Sequence, residues 1–522
     1  MDKHVIIYDT TLRDGTQREG ISLTLDDKLK IARKLDELGF DYVEGGWPGS
    51  NPKDIELFRK LKKEPLKRAK LVAFGSTRRK DTKAGDDPNL NALLESGATV
   101  ACVFGKSWDL HVHSALATTL DENLKMVSES VNFLKSNGLE VIYDAEHFFN
   151  GYLANKEYAL KTIKAANDAG AKCIVLCDTN GGMLTSQVAE VIKEVKESLP
   201  GVELGIHTHN DTECAVANTI AAVQEGVRHV QGTINGFGER CGNANLISVI
   251  ANLQLKLGLK CLDDEYLSRL TELAHHVSEI ANVTPDLHQP YVGKSAFAHK
   301  GGIHVSAVLK QNNAYEHIDP SVVGNAQKIL VSELAGQASL IQKAKEMGID
   351  LSADKDKVAD ILNKLKKKEN QGYHFEVADG SLYMFLKKNT GVYRPLFNLE
   401  SYEVTINRWR TGSFESEAIL KINVDGKRVV DVAEGNGPVN ALDRVLRKAL
   451  EPFFPELSNI KLIDYKVRIF NEYKGTGAMV RVLLESTDGV NTWGTLGVSQ
   501  NLIEASWLAL VDSIEYGLTY KH

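Results

Sequence analysis

Through the first half of the chain, short apolar runs alternate with longer stretches in which apolar residues recur every three or four positions. The run at residues 5–8 precedes a stretch at 26–38, where Leu29, Ile31, Ala32, Leu35 and Leu38 follow a largely helical spacing. The alternation continues through runs at 42–44, 71–74 and 100–104, followed in turn by helical patterns at 54–61, 89–94 and 121–134. It ends with runs at 140–143, 173–177, 203–206 and 229–231, followed by helical patterns at 157–169, 187–199, 213–225 and 245–257. Eight such pairs predict an α/β fold, a (β/α)8 barrel over residues 1–260. An open, doubly wound sheet is the competing arrangement. It usually carries a glycine-rich dinucleotide turn after its first strand, and Tyr8-Asp9-Thr10-Thr11-Leu12-Arg13-Asp14-Gly15 is not one.

From residue 261 the regular strand runs stop, and residues 261–390 read as a mainly helical region. Residues 387–401, with Gly391, Pro395 and Asn398, break the periodicity and read as a linker. The last region, 401–518, repeats itself. A strand run at 419–426, a second strand and a helix at 439–450 are echoed by a run at 480–485, a strand near 492–498 and a helix at 502–514. This predicts a duplicated α+β domain, serving dimerisation alone or effector binding as well.

Composition narrows the function. The 522 residues carry a net charge of −7, which gives no general attraction for nucleic acid or anionic membranes. No apolar run approaches a membrane span. Six cysteines are too few for a disulfide scaffold, and the chain opens on an apolar strand run with no leader-like segment before it. A cytoplasmic setting is expected.

The chemistry concentrates at strand ends. In Gly205-Ile206-His207-Thr208-His209, the two histidines are two apart at the end of the seventh strand and project from one face toward the barrel mouth. Two neutral imidazoles there can share one metal ion. Asp14, just past the first strand, is the missing hard ligand, and neighbouring Arg13 could contact a substrate oxygen. Taken alone, however, Arg13-Asp14 reads rather as a solvated turn pair. After the eighth strand, Gly236-Phe237-Gly238-Glu239-Arg240-Cys241-Gly242-Asn243 offers glycines that permit backbone approach to a ligand, and Asn243 offers a further oxygen to an ion.

Five segments together carry a resemblance. They are residues 9–17 (Asp-Thr-Thr-Leu-Arg-Asp-Gly-Thr-Gln), 178–182 (Asp-Thr-Asn-Gly-Gly), 207–211 (His-Thr-His-Asn-Asp), 238–243 (Gly-Glu-Arg-Cys-Gly-Asn) and 299–304 (His-Lys-Gly-Gly-Ile-His). The chain resembles, over essentially its whole length, the acetyl-CoA-dependent 2-oxoacid condensing enzymes that form isopropylmalate, homocitrate and citramalate. Residues 45–54 and 146–152 are most similar to the citramalate-forming branch, which condenses pyruvate; where isopropylmalate synthases commonly have Phe, this chain has Trp47.

The resemblance implies a divalent ion (Mn, Mg, Zn or Co) on Asp14, His207 and His209, with Asn243 nearby. It implies substrate contacts from Arg13, Gln17 and Thr179, with Arg13 stabilising a growing alkoxide. Coenzyme contacts are expected from Gly236, Gly238, Glu239 and Arg240. Glu146 is the expected base toward the acetyl methyl group, helped by burial beside Phe148 and Phe149. His304 and Tyr315 are expected to assist proton transfer or thioester hydrolysis in a neighbouring subunit. Trp47, Phe104 and Tyr143 are expected on the pocket wall. The resemblance also implies a homodimer or larger homo-oligomer and an amino-acid effector, isoleucine if the substrate is pyruvate. One departure stands out: Ser306 occupies the place where the family usually has an acidic partner for this histidine. Cys241 sits in a loop unlike that of the related lyases and reads as incidental. The alternatives are a branched 2-oxoacid substrate, carbon–carbon lyase activity and a non-catalytic effector subunit.

Overall fold

The computed structural model describes residues 4–301, 307, 315–332, 334–391, 393–410, 412–470, 475 and 477–520. Its first eight strands are β1 (Ile6–Asp9), β2 (Tyr42–Gly46), β3 (Lys70–Ser76), β4 (Val100–Lys106), β5 (Glu140–Glu146), β6 (Cys173–Asp178), β7 (Leu204–Thr208) and β8 (His229–Gly232). They close into a parallel barrel in sequence order, with β8 pairing back onto β1. Strands covered on both faces need apolar residues throughout, and β2 and β6 are buried along their whole length. Tyr8, Val72, Val100, Cys102, Ile142 and Val175 pack inside the barrel. The outward-facing strand residues bury the apolar stripes of the surrounding helices, among them Ile31 and Leu35 of Leu25–Glu37 and Val127 and Val131 of Leu120–Ser136.

The chain forms two compact units, Met1–Phe297 with Ile318–Ala326, and Ala298–His317 with Gln327–His522. This division cuts through the region expected to be separately helical. Helix Leu270–Ile280 places Leu270, Leu273, Ala274 and Val277 in the barrel unit's core, and Asn235 Nδ2 donates to Ala274 O at 2.8 Å and Ser278 Oγ at 2.9 Å. The returning segment is tied to the same unit by Thr271 Oγ1, which donates to Val323 O at 2.8 Å.

The later helices, Gln337–Glu346, Lys355–Asn370 and Asp379–Thr390, belong to the second unit. Their Leu340, Ile361, Leu365 and Leu382 share one core with Leu446, Trp507 and Ile514. Each helix has one apolar stripe and needs a partner layer to cover it, which the sheet module supplies. The expected linker is correspondingly shorter, because the helix runs to Thr390 and a strand begins at Asn398.

The second unit also holds a short parallel pair, β9 (Ala298–His299) and β10 (Lys328–Ile329). The repeat is present as two three-stranded antiparallel sheets. One is β11 (Asn398–Arg408), β12 (Phe414–Val424) and β13 (Lys427–Gly435), closed by helix Pro438–Leu450; the other is β14 (Lys461–Phe470), β15 (Met479–Thr487) and β16 (Thr492–Ser499), closed by helix Leu502–Thr519. Among the described residues, no helix is long and apolar enough to cross a membrane.

Candidate active site and metal centre

At the C-terminal mouth of the barrel lies a cavity of about 220 Å³. Of the residues singled out in the sequence, Arg13, Asp14, Gln17, Glu146, Thr179 and His207 line it, as do His209, Glu239 and Arg240. Barrel closure is what brings Asp14 to the histidines, because β1 and β7 both pair with β8.

Asp14, His207 and His209 each present one ligand atom, all within 4.8 Å of one another. His207 Nε2 is 3.3 Å from Asp14 Oδ2 and 3.2 Å from His209 Nε2, and His209 Nε2 is 3.9 Å from Asp14 Oδ2. Burial pushes the Asp14 carboxyl up, but Arg13 and the histidines outweigh it and hold the group well below the usual carboxylate range. Burial lowers the His207 imidazole, yet its hydrogen bond and charge interaction with Asp14 leave it above the ordinary histidine value. His209 is pushed down to about 4, by burial first and then by the charge of His207. One carboxylate and two imidazoles suit a borderline divalent ion. A further observation favours one: Asn243, which is not among the cavity-lining residues but is bridged to His209 through the backbone, has a buried Oδ1 that is unpartnered among the described residues, while its Nδ2 donates to Phe237 O at 3.1 Å. A buried acceptor left without a donor is costly, and a cation would satisfy it.

Arg13 is held from three sides. Its Nε donates to Glu44 Oε1 at 2.5 Å, its Nη1 lies 3.5 Å from Asp14 Oδ2, and its guanidinium lies 3.7 Å above the centre of the Phe74 ring. Glu44, fully buried in β2, also accepts from Thr10 Oγ1 at 2.6 Å and from the Tyr8 hydroxyl. The solvated-turn reading of Arg13-Asp14 is therefore set aside. Thr179 Oγ1 accepts from the His147 amide at 2.8 Å, so its own proton remains free to donate. Arg240 pairs with Asp211 at 2.7 and 3.0 Å and donates to Thr179 O at 2.8 Å, which fixes the rim.

Several expectations change. Gly236 and Gly238 do not line the cavity; their missing side chains make room for Asn243 instead. A Cβ on Gly238 would stand 2.2 Å from Asn243 Nδ2, and Gly238 has φ +156°. Glu146 does not sit in an apolar setting. Phe148 and Phe149 turn fully into the core, and the Glu146 carboxylate is ion-paired with Lys106 of β4. Trp47 and Phe104 are on the cavity wall as expected, joined by Phe74, whereas Tyr143 is not among the lining residues. Trp47 meets both phenylalanine rings edge-on, at 5.8 and 5.6 Å, and its Nε1 donates to Asn89 Oδ1 at 2.7 Å. Tyr315 belongs to the second unit, where it is 49% exposed. His304 lies outside the described residues.

Sequence reasoning missed Glu44, Asp144, Gln231 and Lys106. Three of them carried a partial signal: Glu44, Asp144 and Gln231 are polar residues near the C-terminal ends of buried barrel strands.

A closed eight-stranded barrel with an aspartate–histidine–histidine cluster at its mouth, followed by a duplicated sheet module, defines the class of protein. The chain belongs to the HMGL-like family, whose model matches residues 4–277. The model described as homocitrate synthase post-HMGL domain-like matches residues 291–373, and that of the LeuA allosteric (dimerisation) domain matches residues 376–518. The chain is 54% identical to the (R)-citramalate synthase of Aquifex aeolicus, over 99% of this chain and 98% of that protein. It is 52% identical to the (R)-citramalate synthase of Geobacter sulfurreducens, over 98% and 97%. Its identity to a probable 2-isopropylmalate synthase of Methanopyrus kandleri is 31%, over 98% of each chain.

Proposed function

We propose that the chain is an acyltransferase that joins acetyl-CoA to pyruvate, giving (R)-citramalate and free CoA for isoleucine synthesis. The observation that carries this reading is the convergence of Asp14, His207, His209, Arg13 and Glu146 on one cavity, in a chain whose full-length relatives at 54% and 52% identity are (R)-citramalate synthases.

Asp14, His207 and His209 would hold the divalent ion, with Asn243 Oδ1 as a fourth donor. A bound ion supplies Lewis-acid polarisation of the 2-oxoacid ketone and a template for its carboxylate. Thr179 and Gln17 orient the oxoacid. Glu146, ion-paired with Lys106, takes a proton from the acetyl methyl group, and the resulting carbon nucleophile attacks the ketone carbon of pyruvate. The ketone oxygen becomes an alkoxide, which Arg13 stabilises from its fixed position over Phe74. The alkoxide takes up a proton to become the product hydroxyl, water cleaves the thioester with His304 and Tyr315 of a neighbouring copy of the chain assisting, and CoA leaves as the thiol. Glu239 and Arg240 contact the coenzyme at the rim.

Trp47, packed edge-on against Phe74 and Phe104, narrows the oxoacid pocket toward a methyl group. One or two added methylenes are worth about 1–3 kcal/mol of discrimination, so size selects pyruvate without excluding branched oxoacids absolutely. The C-terminal module would bind isoleucine and pair two copies of the chain. The test is CoA release from acetyl-CoA with a panel of 2-oxoacids. Pyruvate should give the highest kcat/KM; preference for 2-oxoisovalerate would make the enzyme an isopropylmalate synthase.

A further inference from the structure

The His207 ring is held by a chain of two buried polar side chains that the proposed chemistry does not use. Asp144 lies on β5, Gln231 on β8 and His207 on β7, and all three are at least nine-tenths buried. Gln231 Nε2 is 3.0 Å from Asp144 Oδ1, and Gln231 Oε1 is 2.9 Å from His207 Nδ1. Gln231 is the lateral neighbour of His207 in the β7–β8 ladder, so the second contact is built into strand register. The first contact reaches across the barrel interior, because β5 and β8 are not neighbours.

We infer that Asp144 and Gln231 are positioning residues that fix His207 in the Nδ1–H tautomer and so aim the Nε2 lone pair at the metal position. The argument follows from what each group can donate. A carboxylate only accepts, so the amide nitrogen of Gln231 must face Asp144. The amide oxygen must then face His207, and since it too only accepts, the proton of the neutral ring stays on Nδ1. A ring with a single proton thus has a bare Nε2 on the side of Asp14 and His209, and the second proton, which Asp14 favours on Nε2 in the metal-free ring, is the one a cation would replace. An amide with no fixed partner could present either end and would not select a tautomer. Asp144 therefore acts on the metal position through Gln231. Outer partners of a metal-bound histidine set its tautomer and orientation in this way, and losing one typically costs 10–100-fold in affinity.

This inference rests on the proposed metal site, and the test separates the two. Co2+ is titrated calorimetrically into metal-free, full-length wild type, Gln231→Leu, Asp144→Asn and the double variant, with melting temperature recorded for each. Gln231→Leu should bind Co2+ about 10–100-fold more weakly. Asp144→Asn should weaken it too, because an amide can meet Gln231 with either end. In the Gln231→Leu background, Asp144→Asn should have no further effect, since the relay is already cut. A purely structural role for either residue would instead give independent, additive losses, and that result overturns the inference. So does wild-type Co2+ affinity in a folded Gln231→Leu. Should Gln231→Leu fail to fold, Asp144→Asn decides alone: unchanged Co2+ affinity overturns the inference. Absence of Co2+ binding by the wild-type chain would overturn the metal reading itself.

Discussion

Glu44 and Arg13 form one unit at the barrel mouth: the guanidinium Nε donates to Glu44 Oε1 at 2.5 Å, and the carboxylate is wholly enclosed. A long, flexible side chain is thereby held ready for charge that develops elsewhere. Replacing its anchor by an amide keeps the shape and removes the charge. Glu44→Gln should lower kcat by about 10²–10³, the usual cost of losing one preorganised oxyanion donor. Steady-state kinetics decide this, and a change under threefold would show that Arg13 needs no such anchor.

His207→Ala and His209→Ala should each abolish turnover and divalent-ion binding. Both side chains line the cavity rather than the hydrophobic core, so circular dichroism should stay near wild type, while melting of His207→Ala should fall modestly because the buried Gln231 Oε1 loses its partner. A variant that keeps both metal and activity would remove the ligand from the proposal.

Glu146→Gln should slow condensation by about 10²–10⁴, the range for a lost general base, while pyruvate binding persists. Deuterium exchange into the acetyl methyl group, run with a non-condensing oxoacid analogue, isolates the proton-removal step. Undiminished exchange would move the base to another residue.

Metal affinity should fall as the solution is acidified. An ion and a proton compete for the same imidazole nitrogen, so binding weakens as pH drops through the histidine's own value. His207 is raised above the ordinary histidine value by Asp14, whereas His209 is lowered to about 4. His207 is therefore the residue that protonates first, and the loss should begin above the ordinary histidine pKa. Calorimetric titrations at several pH values test this; affinity that stays flat down to pH 5 would contradict it.

Isoleucine should inhibit the full chain more strongly than leucine or valine does. Inhibition by leucine alone would favour an isopropylmalate synthase, and no inhibition by any of the three would leave the module with assembly only.

The barrel was legible because eight short, largely buried strand runs alternate with helical patterns at regular intervals along the first half of the chain. His207 and His209 were legible because their two-residue spacing at a strand end is local, whereas Asp14, a turn residue when read alone, was joined to them by the resemblance and in space by barrel closure. Glu44, Asp144 and Gln231 show locally only as polar residues near strand ends, and which partner each meets is decided when β2, β5 and β8 fold around a common axis. In the C-terminal module, β11 and β14 escaped notice for a different reason. Both are largely exposed, with Glu400, Glu403 and Arg408 in one and Lys461, Asp464, Lys466 and Arg468 in the other. Each lies at the edge of its sheet, and the alternation of Tyr402, Val404 and Ile406 with Glu403, Thr405 and Asn407, like that of Tyr465, Val467 and Ile469 with Lys466 and Arg468, was present but went unread beside the more apolar strands of the repeat.

The core shared by the later helices and the duplicated sheets bears on how such an enzyme can be re-engineered. Leu365 and Leu382 pack in the same cluster as Trp507 and Ile514, so a graft joined at the first strand of the module would split that cluster between two parents. Residues 318–326 meanwhile belong with the barrel. A chimera meant to acquire another relative's sensor should therefore exchange residues 298–317 and 327–522 together and keep the nine-residue return between them.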